Sequence, residues 1–472
     1  MAIDINAAYD RNSHSHQSAL LALKEASRAT SLTISYGPGH DPTRVDESVA
    51  LLNARPAPLL HEFHLQLAHV DDPIPISSDI FAGAVPKNLR SLMLFGCDLS
   101  SGSPLLSASL TALQIDRNCR IWPTVDDMVE TLKGMPNLEE FIADCSHLLI
   151  DTTPSTIHPP HCVSLPHLKL LQLADNYPQA IKIFRHLNLP HNTQTCLLGS
   201  APVPLPPSSE KTTMAALEHH FSSALASNAS FSELDLVFQT GSFSLAANPN
   251  MESSFDVPPS DDRPLPYPVS SRSRFGFSFT VPTFLGYDIP LAVLQMSLFH
   301  RTTTLTVRDN DDSFGFGASR ADPTLWSRMA AYKDVEMLEV TGRWAYSLVD
   351  ALNRSTSCGG GTPDDDGSLM LFPRLRELVI EEVQFDSNEK DPERASFFAR
   401  LMTGLDRHIS AGTLTMVAIT KCDVERRMVD ALRLRLGEDN VDWDGRVRGK
   451  GIARRTMAHA CRIGGIATPA QL

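Results

Sequence analysis

Apolar and polar residues alternate in short runs along the chain, and one spacing of the apolar positions recurs. In LRSLMLFGCDL, residues 89–99, Leu89 is followed by Leu92 and Leu94, and Cys97 stands three residues further on. Because Leu92 and Leu94 are two residues apart, they point to the same side of an extended chain. The spacing therefore predicts a short β-strand with one buried side, which the chain enters at Leu89 and leaves at Cys97.

The same spacing is found along most of the chain. Five copies end in Asn or Cys at the same offset, and these residues are Cys97, Asn118, Asn176, Asn310 and Cys422. Copies without that terminal residue lie at 59–67, 138–146, 231–239, 334–342 and 375–383, and a related stretch at 29–36 opens the series. The terminal Asn or Cys is expected to bond to loop backbone groups that the sheet leaves unpaired.

Segments with the apolar spacing of a helix lie between many of these strands. Residues 124–141 place Val125, Val129 and Leu132 on one helix face, with Thr124 as a suitable N-cap. Similar segments are 17–27, 46–54, 213–227, 324–332, 395–409 and 424–437. A chain that alternates helix and strand predicts parallel strands with helices on their other side.

This alternation predicts an α/β fold, an irregular leucine-rich-repeat solenoid or horseshoe. Parallel strands are expected on its concave face and helices on its convex face, because neighbouring repeats share one core. The expected boundaries are a disordered N-terminus at 1–16, the solenoid at 17–445 and a disordered basic tail at 446–472. Stretches rich in Pro, Gly, Ser and Asp predict disordered insertions near 200–210, 246–274 and 355–368.

A series of landmarks in a fixed order carries a family resemblance. They are ARPAPLLHEFHL (54–65), DIFAGAVPKNLRSLMLFGCDL (79–99), SPLLSASLTALQI (103–115), VDDMVETLKGMPNLEEF (125–141), LPHLKLLQLAD (165–175), FPRLRELVIEEVQF (372–385), ITKCDV (419–424) and VDWDG (441–445). Together they resemble the leucine-rich-repeat region of F-box proteins of mushroom-forming (basidiomycete) fungi, over roughly residues 17–445.

The resemblance implies that the repeats hold a protein substrate while an N-terminal F-box binds the adaptor of a cullin-type ubiquitin ligase. An F-box is expected as a proline-led apolar helical segment that ends in a tryptophan-bearing helix. No such segment is apparent before Ala29. The ligase adaptor is therefore implied as a partner only if an F-box exists.

Composition and charge narrow the classes of partner. The chain of 472 residues is 42% hydrophobic and 20% charged, with a net charge of -14. Binding to nucleic acid or to an anionic membrane needs clustered cations, so neither partner is expected. No apolar run reaches the roughly 20 residues that span a bilayer. Residues 445–472 carry six Arg or Lys and no acid, and a nuclear-import or nucleic-acid patch is the alternative for this tail.

Cysteines and other reactive residues give no sign of chemistry. Eight scattered cysteines without a CxxC pair predict a reducing compartment, the cytoplasm or the nucleus. Cys145, His147 and the HPPHC segment at 158–162 lack the spacing of a zinc site. DNDDS at 309–313 is followed by Phe314 where a calcium loop has glycine. We expect no enzyme activity, cofactor or metal; a metal-binding protein or a hydrolase is the less favoured alternative.

The expected function is a non-catalytic protein–protein interaction scaffold with an unidentified protein partner, similar to the substrate-binding part of an F-box receptor. The outward strand residues between the buried leucines would form its binding face. They are Ser91, Met93, Ala112, Gln114, Leu170, Gln172, Glu233, Asp235, Met337, Glu339, Glu377, Val379, Thr415 and Met416. A gene fragment, or a repeat protein without an F-box and without a ligase role, is the alternative.

Overall fold

The structure, a computed structural model, divides into two compact units, Met1–Phe299 and His300–Leu472. It describes residues 2–9, 13–37, 42–67, 73–116, 119–149, 151, 153, 155, 157–200, 209–222, 226, 230–239, 242–249, 276–282, 288–309, 324–357, 370–383, 385 and 397–445. The range 17–445, expected to form one solenoid, is thus divided after Phe299.

The first unit is built on a mainly parallel β-sheet. Its strands are β1 (Ile3–Tyr9), β2 (Ala29–Tyr36), β3 (Glu62–Leu67), β4 (Ile74–Ile76), β5 (Ser91–Phe95), β6 (Cys97–Leu99), β7 (Ala112–Asp116), β8 (Glu140–Asp144), β9 (Val163–Ser164), β10 (Leu170–Asn176), β11 (Leu187–Asn188), β12 (Gln194–Ser200), β13 (Phe231–Gln239), β14 (Ser242–Pro249) and β15 (Phe277–Pro282). Neighbours in the sheet follow the order β1-β2-β3-β5-β7-β8-β10-β12-β15-β14-β13, while β4 pairs with β6 and β9 with β11.

One strand of this sheet runs against the others. From β1 to β12, and from β12 to β15, neighbouring strands pair in parallel. In contrast, β14 is antiparallel to both β13 and β15. Only two residues separate β13 from β14, and such a short link cannot form the crossover that parallel strands require. The expectation of parallel strands throughout is therefore wrong at β14.

The helices of the first unit do not follow every strand. They are α1 (Ser13–Leu23), α2 (Pro42–Asn53), α3 (Val125–Lys133), α4 (Tyr177–His186), α5 (Ser209–His220) and α6 (Asp288–Leu294). Residues 96–111, between β5 and β7, form turns and β6 instead of a helix. Gly96, Gly102 and Pro104 lie in this stretch, and both residue types disfavour a helix interior. The expected alternation of helix and strand thus holds only in part.

The N-terminal segment is ordered where disorder was expected. Residues 3–9 of the range 1–16 form β1, in parallel register with β2, and Ser13 begins α1. Ile5 and Ala7 of β1 are buried. The segment is only moderately apolar, and it forms a strand because β2 offers an edge to pair with and a shared core.

The second unit has its own parallel strands. These are β16 (Thr304–Asp309), β17 (Met337–Thr341), β18 (Glu377–Glu381), β19 (Met416–Thr420) and β20 (Val441–Trp443), which pair in parallel in this order. Its helices are α7 (Thr324–Arg328), α8 (Arg343–Ser357), α9 (Phe397–Ser410) and α10 (Arg426–Leu436).

Single 3₁₀ turns lie in both units, at Ala26–Arg28, Ile80–Gly83, Ser297–Phe299, Met329–Ala331 and Glu438–Asn440. None of the described helices is long and apolar enough to cross a membrane.

The leucine spacing marks the buried side of the strands in each unit. Leu92 and Leu94 of β5 are at most 1% exposed and stand in register with the equally buried Leu113 and Ile115 of β7. In the second unit Leu338 of β17 is fully buried in the same way. Burial of each such side chain contributes roughly 2 kcal/mol relative to exposure.

Most of the predicted insertions, and the tail at 446–472, lie outside the described residues. The described ends of the insertions are regular structure: Ser200 ends β12, residues 209–210 begin α5, residues 246–249 belong to β14, and residues 355–357 end α8.

Candidate functional site

Cys97 lies beside Cys119, just beyond the ends of β5 and β7. The Cys97 thiol donates to the Phe95 carbonyl oxygen at 3.4 Å, and the Cys97 N–H donates to Cys119 Sγ at 3.4 Å. Burial, followed by the hydrogen bond to the Cys119 thiol, raises the pKa of Cys97 well above its ordinary value. The thiol is thus protonated at neutral pH and acts as a small hydrogen-bonding group, not as a nucleophile.

Cys422 has similar contacts in the second unit. Its thiol donates to the Ile380 carbonyl oxygen at 3.4 Å, and its Sγ accepts the Val383 N–H at 3.4 Å. Burial raises the pKa of Cys422 to about 12. This thiol therefore links β19 to the backbone at the end of β18. Asn118 and Asn310 lie outside the described residues.

The candidate first-unit face consists of Ser91, Met93, Ala112, Gln114, Leu170 and Gln172. Ser91 stands in register with Ala112, and Met93 with Gln114, on the side of the sheet opposite the buried leucines. These four side chains are half-exposed, as is Leu170. Gln172 is only 3% exposed, so it offers almost no contact surface despite its expected place on the face.

The register extends this row beyond the predicted residues. His64 of β3 stands in register with Met93, and Gln114 with Ile142 of β8, which in turn stands in register with Gln172. His64 is half-exposed, whereas Ile142 is 8% exposed. The accessible surface on this side of the first unit therefore includes His64 of β3 next to the face residues of β5 and β7.

The candidate second-unit face consists of Met337, Glu339, Glu377, Val379, Thr415 and Met416. Met337, Glu377 and Met416 stand in one register row across β17, β18 and β19. Glu339 and Val379 form the next row, and all five side chains are half-exposed. Arg308 Nη2 lies 3.5 Å from Glu339 Oε1. Apolar and acidic side chains thus share this surface.

The remaining predicted face residues have more local roles. Glu233 and Asp235 lie on β13, in the antiparallel part of the first unit. Glu233 is exposed and accepts a hydrogen bond from Asn248 Nδ2 at 3.1 Å. Thr415 is exposed before β19 begins, and its hydroxyl donates to the Arg376 carbonyl oxygen at 3.1 Å.

A pocket open to solvent lies beyond the carboxyl ends of β7, β8 and β10. It has a volume of about 360 Å³ and is lined by Arg120, Ser146, His147, Leu149 and Gln179. We call it the rim pocket. Because β7, β8 and β10 are parallel neighbours, the segments that follow them converge at one edge of the sheet.

Asn176 connects the repeat pattern to the rim pocket. It ends β10 and is the N-cap of α4, where its Oδ1 accepts the Gln179 N–H at 3.2 Å. Gln179 is 8% exposed, and its Oε1 has no hydrogen-bond partner among the described residues. Asn followed three residues later by Gln is the spacing of a capping box, in which Gln would bond back to the cap. Here the structure shows only the bond from the Gln179 N–H.

Arg120 and Gln179 are not among the residues predicted from the sequence, and His147 was expected at most as a metal ligand. The one local signal for this place was the N-x-x-Q spacing at residues 176–179. Within the described part of the chain, no group of three or more His, Cys, Asp or Glu residues could hold a metal ion.

Comparison with protein-family models gives no match to this chain. Comparison with curated proteins also gives no match. The resemblance to fungal F-box proteins therefore stays a prediction from the landmarks in the sequence.

Proposed function

We propose that this chain is a non-catalytic protein-interaction scaffold built as a leucine-rich-repeat solenoid. In this proposal the half-exposed strand residues lie on the concave side of the repeats, and the first-unit face and the second-unit face each bind a partner protein. Interaction is the favoured role because a repeated surface of side chains at regular spacing suits extended contact with another protein.

The supporting observation is the alternation of burial in register across neighbouring parallel strands. On β5 and β7, Leu92 and Leu113 are at most 1% exposed, whereas Met93 and Gln114 between the buried positions are half-exposed. One side of the strands is thus a core and the other a patterned surface. Side chains held at regular spacing by a rigid sheet lose little freedom when they bind.

The second-unit face has the chemistry of a protein contact. Met337, Val379 and Met416 supply apolar surface, and methionine adapts its shape to a partner. Glu339 and Glu377 flank these residues with carboxylates. A partner segment with apolar side chains next to Lys or Arg complements this arrangement.

A more specific role rests on the resemblance alone. It is that of the substrate-binding part of an F-box-type ubiquitin-ligase receptor, in the cytoplasm or the nucleus. Its test is recovery of cullin-ligase adaptor components together with the chain.

Charged substitutions on the faces test the interaction function. The face variants are Met93→Glu with Ala112→Glu, and Met337→Glu with Val379→Glu. The matched control carries the same added charge on two exposed helix positions, Leu21→Glu with Leu434→Glu, where the leucines are 63% and 88% exposed. Tagged proteins are purified from cells and the co-purifying proteins are measured by quantitative mass spectrometry.

We expect the recovery of a protein that the wild type and the control both recover to fall by about tenfold or more with at least one face variant, since a buried charge at an interface centre is costly. Circular dichroism confirms that each variant is folded. Equal recovery by face and control variants would show that these faces do not bind the partner.

A further inference from the structure

The rim pocket brings together side chains from three places in the sequence. Arg120 follows β7, Ser146 and His147 follow β8, and Gln179 lies in the first turn of α4 after β10. In open sheets of parallel strands, the carboxyl ends are where loops and helix starts form binding crevices. The pocket therefore has a position suited to a ligand, and its residues decide which ligand fits.

Gln179 is a buried amide with unmet hydrogen-bonding capacity. It is 8% exposed and lines the pocket, while its Oε1 has no partner among the described residues. An unpaired buried polar group destabilises the protein, and a ligand that supplies the missing bond recovers that free energy. Because the amide oxygen and nitrogen can exchange places by rotation, Gln179 can accept from an N–H or donate to a carbonyl.

The charged lining favours an anionic group. Arg120 is exposed, and within the described part of the chain its guanidinium has no ion-pair partner. The N-terminus of α4, which carries the positive end of the helix dipole, lies at the same edge. A guanidinium binds a carboxylate through two parallel hydrogen bonds, so a carboxylate is the group that Arg120 recognises best.

A second feature limits how much negative charge the pocket accepts. The N–H and Oγ of Ser146 both donate to Asp144 Oδ1, at 2.9 and 2.7 Å. The Asp144 carboxylate therefore lies directly behind one wall of the pocket. A doubly charged phosphate would be repelled by the Asp144 carboxylate. A single carboxylate next to an N–H group instead complements both the Arg120 guanidinium and the Gln179 amide.

We propose that the rim pocket binds a carboxylate-bearing peptide segment, with Arg120 pairing the carboxylate and Gln179 hydrogen-bonding a neighbouring main-chain amide. The proposal rests on the proposed interaction function and names the chemistry of one contact in it. A peptide fits better than a free small molecule because the pocket is open and would leave much of its occupant accessible to a larger chain.

The test is a titration of the purified full chain with short peptides, followed by saturation-transfer NMR. The probes are acetyl-Gly-Asp-Gly-amide, its neutral analogue acetyl-Gly-Asn-Gly-amide, acetyl-Gly-Gly-Gly with a free C-terminal carboxylate, and free aspartate. Inorganic phosphate serves as a competitor. The variants are Arg120→Gln and Gln179→Leu, and the matched control is Arg185→Gln, an exposed arginine in the last turn of α4.

We expect one of the two carboxylate peptides to bind about tenfold more tightly than the Asn peptide. Arg120→Gln should weaken that binding by about tenfold, and Gln179→Leu by about threefold or more, as expected for charged and neutral hydrogen bonds. Arg185→Gln should leave it unchanged. Tighter binding of the Asp peptide would identify the bound group as the side chain of an internal acidic residue. Tighter binding of the Gly peptide would identify it as a C-terminal carboxylate.

Equal binding of the Asp and Asn peptides, with no preference for the C-terminal carboxylate, would overturn the proposal. So would equal losses in Arg120→Gln and Arg185→Gln, free aspartate binding as tightly as the peptides, or phosphate displacing them at equal concentration. The face variants separate this result from the proposed function. If the face variants lose the partner while Arg120→Gln leaves peptide binding unchanged, only the pocket proposal fails.

Discussion

The helices α3 and α4 start with the same cap spacing but complete it differently. In α3 the Thr124 N–H donates to Asp127 Oδ2, and the Asp127 N–H donates to Thr124 Oγ1, both at 3.1 Å. In α4 the Gln179 N–H donates to Asn176 Oδ1, but Gln179 Oε1 has no partner in the described part of the chain. The same cap spacing can thus use both side chains to stabilise a helix, as in α3, or leave one side chain able to bind another group, as in α4.

The position of each cap in the fold accounts for this difference. Thr124 precedes α3 outside any strand, so its N–H is available to Asp127. Asn176 is still the last residue of β10 and stands in ladder register with Ser200. A cap that also belongs to a strand has backbone groups committed to the sheet, and Gln179 then lines the rim pocket instead.

The largest effect should come from removing the packing under both helices. Leu132 of α3 and Ile183 of α4 are fully buried. Replacing either by alanine leaves a cavity, so we expect Leu132→Ala and Ile183→Ala each to lower the free energy of unfolding by about 2–5 kcal/mol. Urea denaturation measures the change. Leu434→Ala, at an 88% exposed position, is the control and should stay within about 0.5 kcal/mol of wild type.

Acid should weaken the packing of α5 against α4, one of the two helices compared above. His220 of α5 packs against Phe184 of α4, with ring centroids 5.3 Å apart. Burial, followed by the charges of His219, His161 and His191, lowers the pKa of His220 to about 4. The unfolded chain, with an ordinary His pKa of about 6.5, therefore binds more protons between these pH values. Stability from this residue is fully present above about pH 6.5 and is lost as the pH falls to about 4.

The expected loss from His220 is roughly 3 kcal/mol over that pH range. Urea denaturation of the wild type at a series of pH values from 7 to 4 measures it. His220→Gln has no titrating group at this position, so its free energy of unfolding should fall less with acid. A variant that loses stability with the same pH dependence as the wild type would contradict the assignment to His220.

The smallest effects test the two caps directly. Thr124→Ala removes the two hydrogen bonds of the Thr124 hydroxyl, which accepts from the Asp127 N–H and donates to Asp127 Oδ2, and should lower the free energy of unfolding by about 1 kcal/mol. Gln179→Ala removes a buried side chain whose oxygen makes no hydrogen bond with the described residues. The lost packing and the relief of the unpaired oxygen oppose each other, so we expect a change within about 0.5 kcal/mol. Thermal unfolding of both variants checks the contrast. A loss in Gln179→Ala as large as that in Thr124→Ala would show that Gln179 supports the fold.

The strands of the repeat could be predicted because the spacing of their apolar residues is a local feature of the sequence. Leu92 and Leu94 predict β5, and the same spacing predicts β7 and β10. Strands β14 and β15 were missed although their apolar residues alternate, as in Phe243 and Leu245, because they lack the repeat offset and flank a proline-rich stretch. The helix α4 was missed too, although Tyr177, Ala180, Ile181 and Phe184 have helical spacing.

The amino-acid sequence by itself determined which side of repeat strands such as β5 and β7 is buried, because the period of two is a property of neighbouring residues. It also determined that Thr124 would cap α3, since a cap depends on residues within one turn. Only the tertiary structure decided that β14 reverses and that Arg120, His147 and Gln179 meet at one edge of the sheet. Their meeting depends on the register of β7, β8 and β10, which is set by packing between residues far apart in the chain.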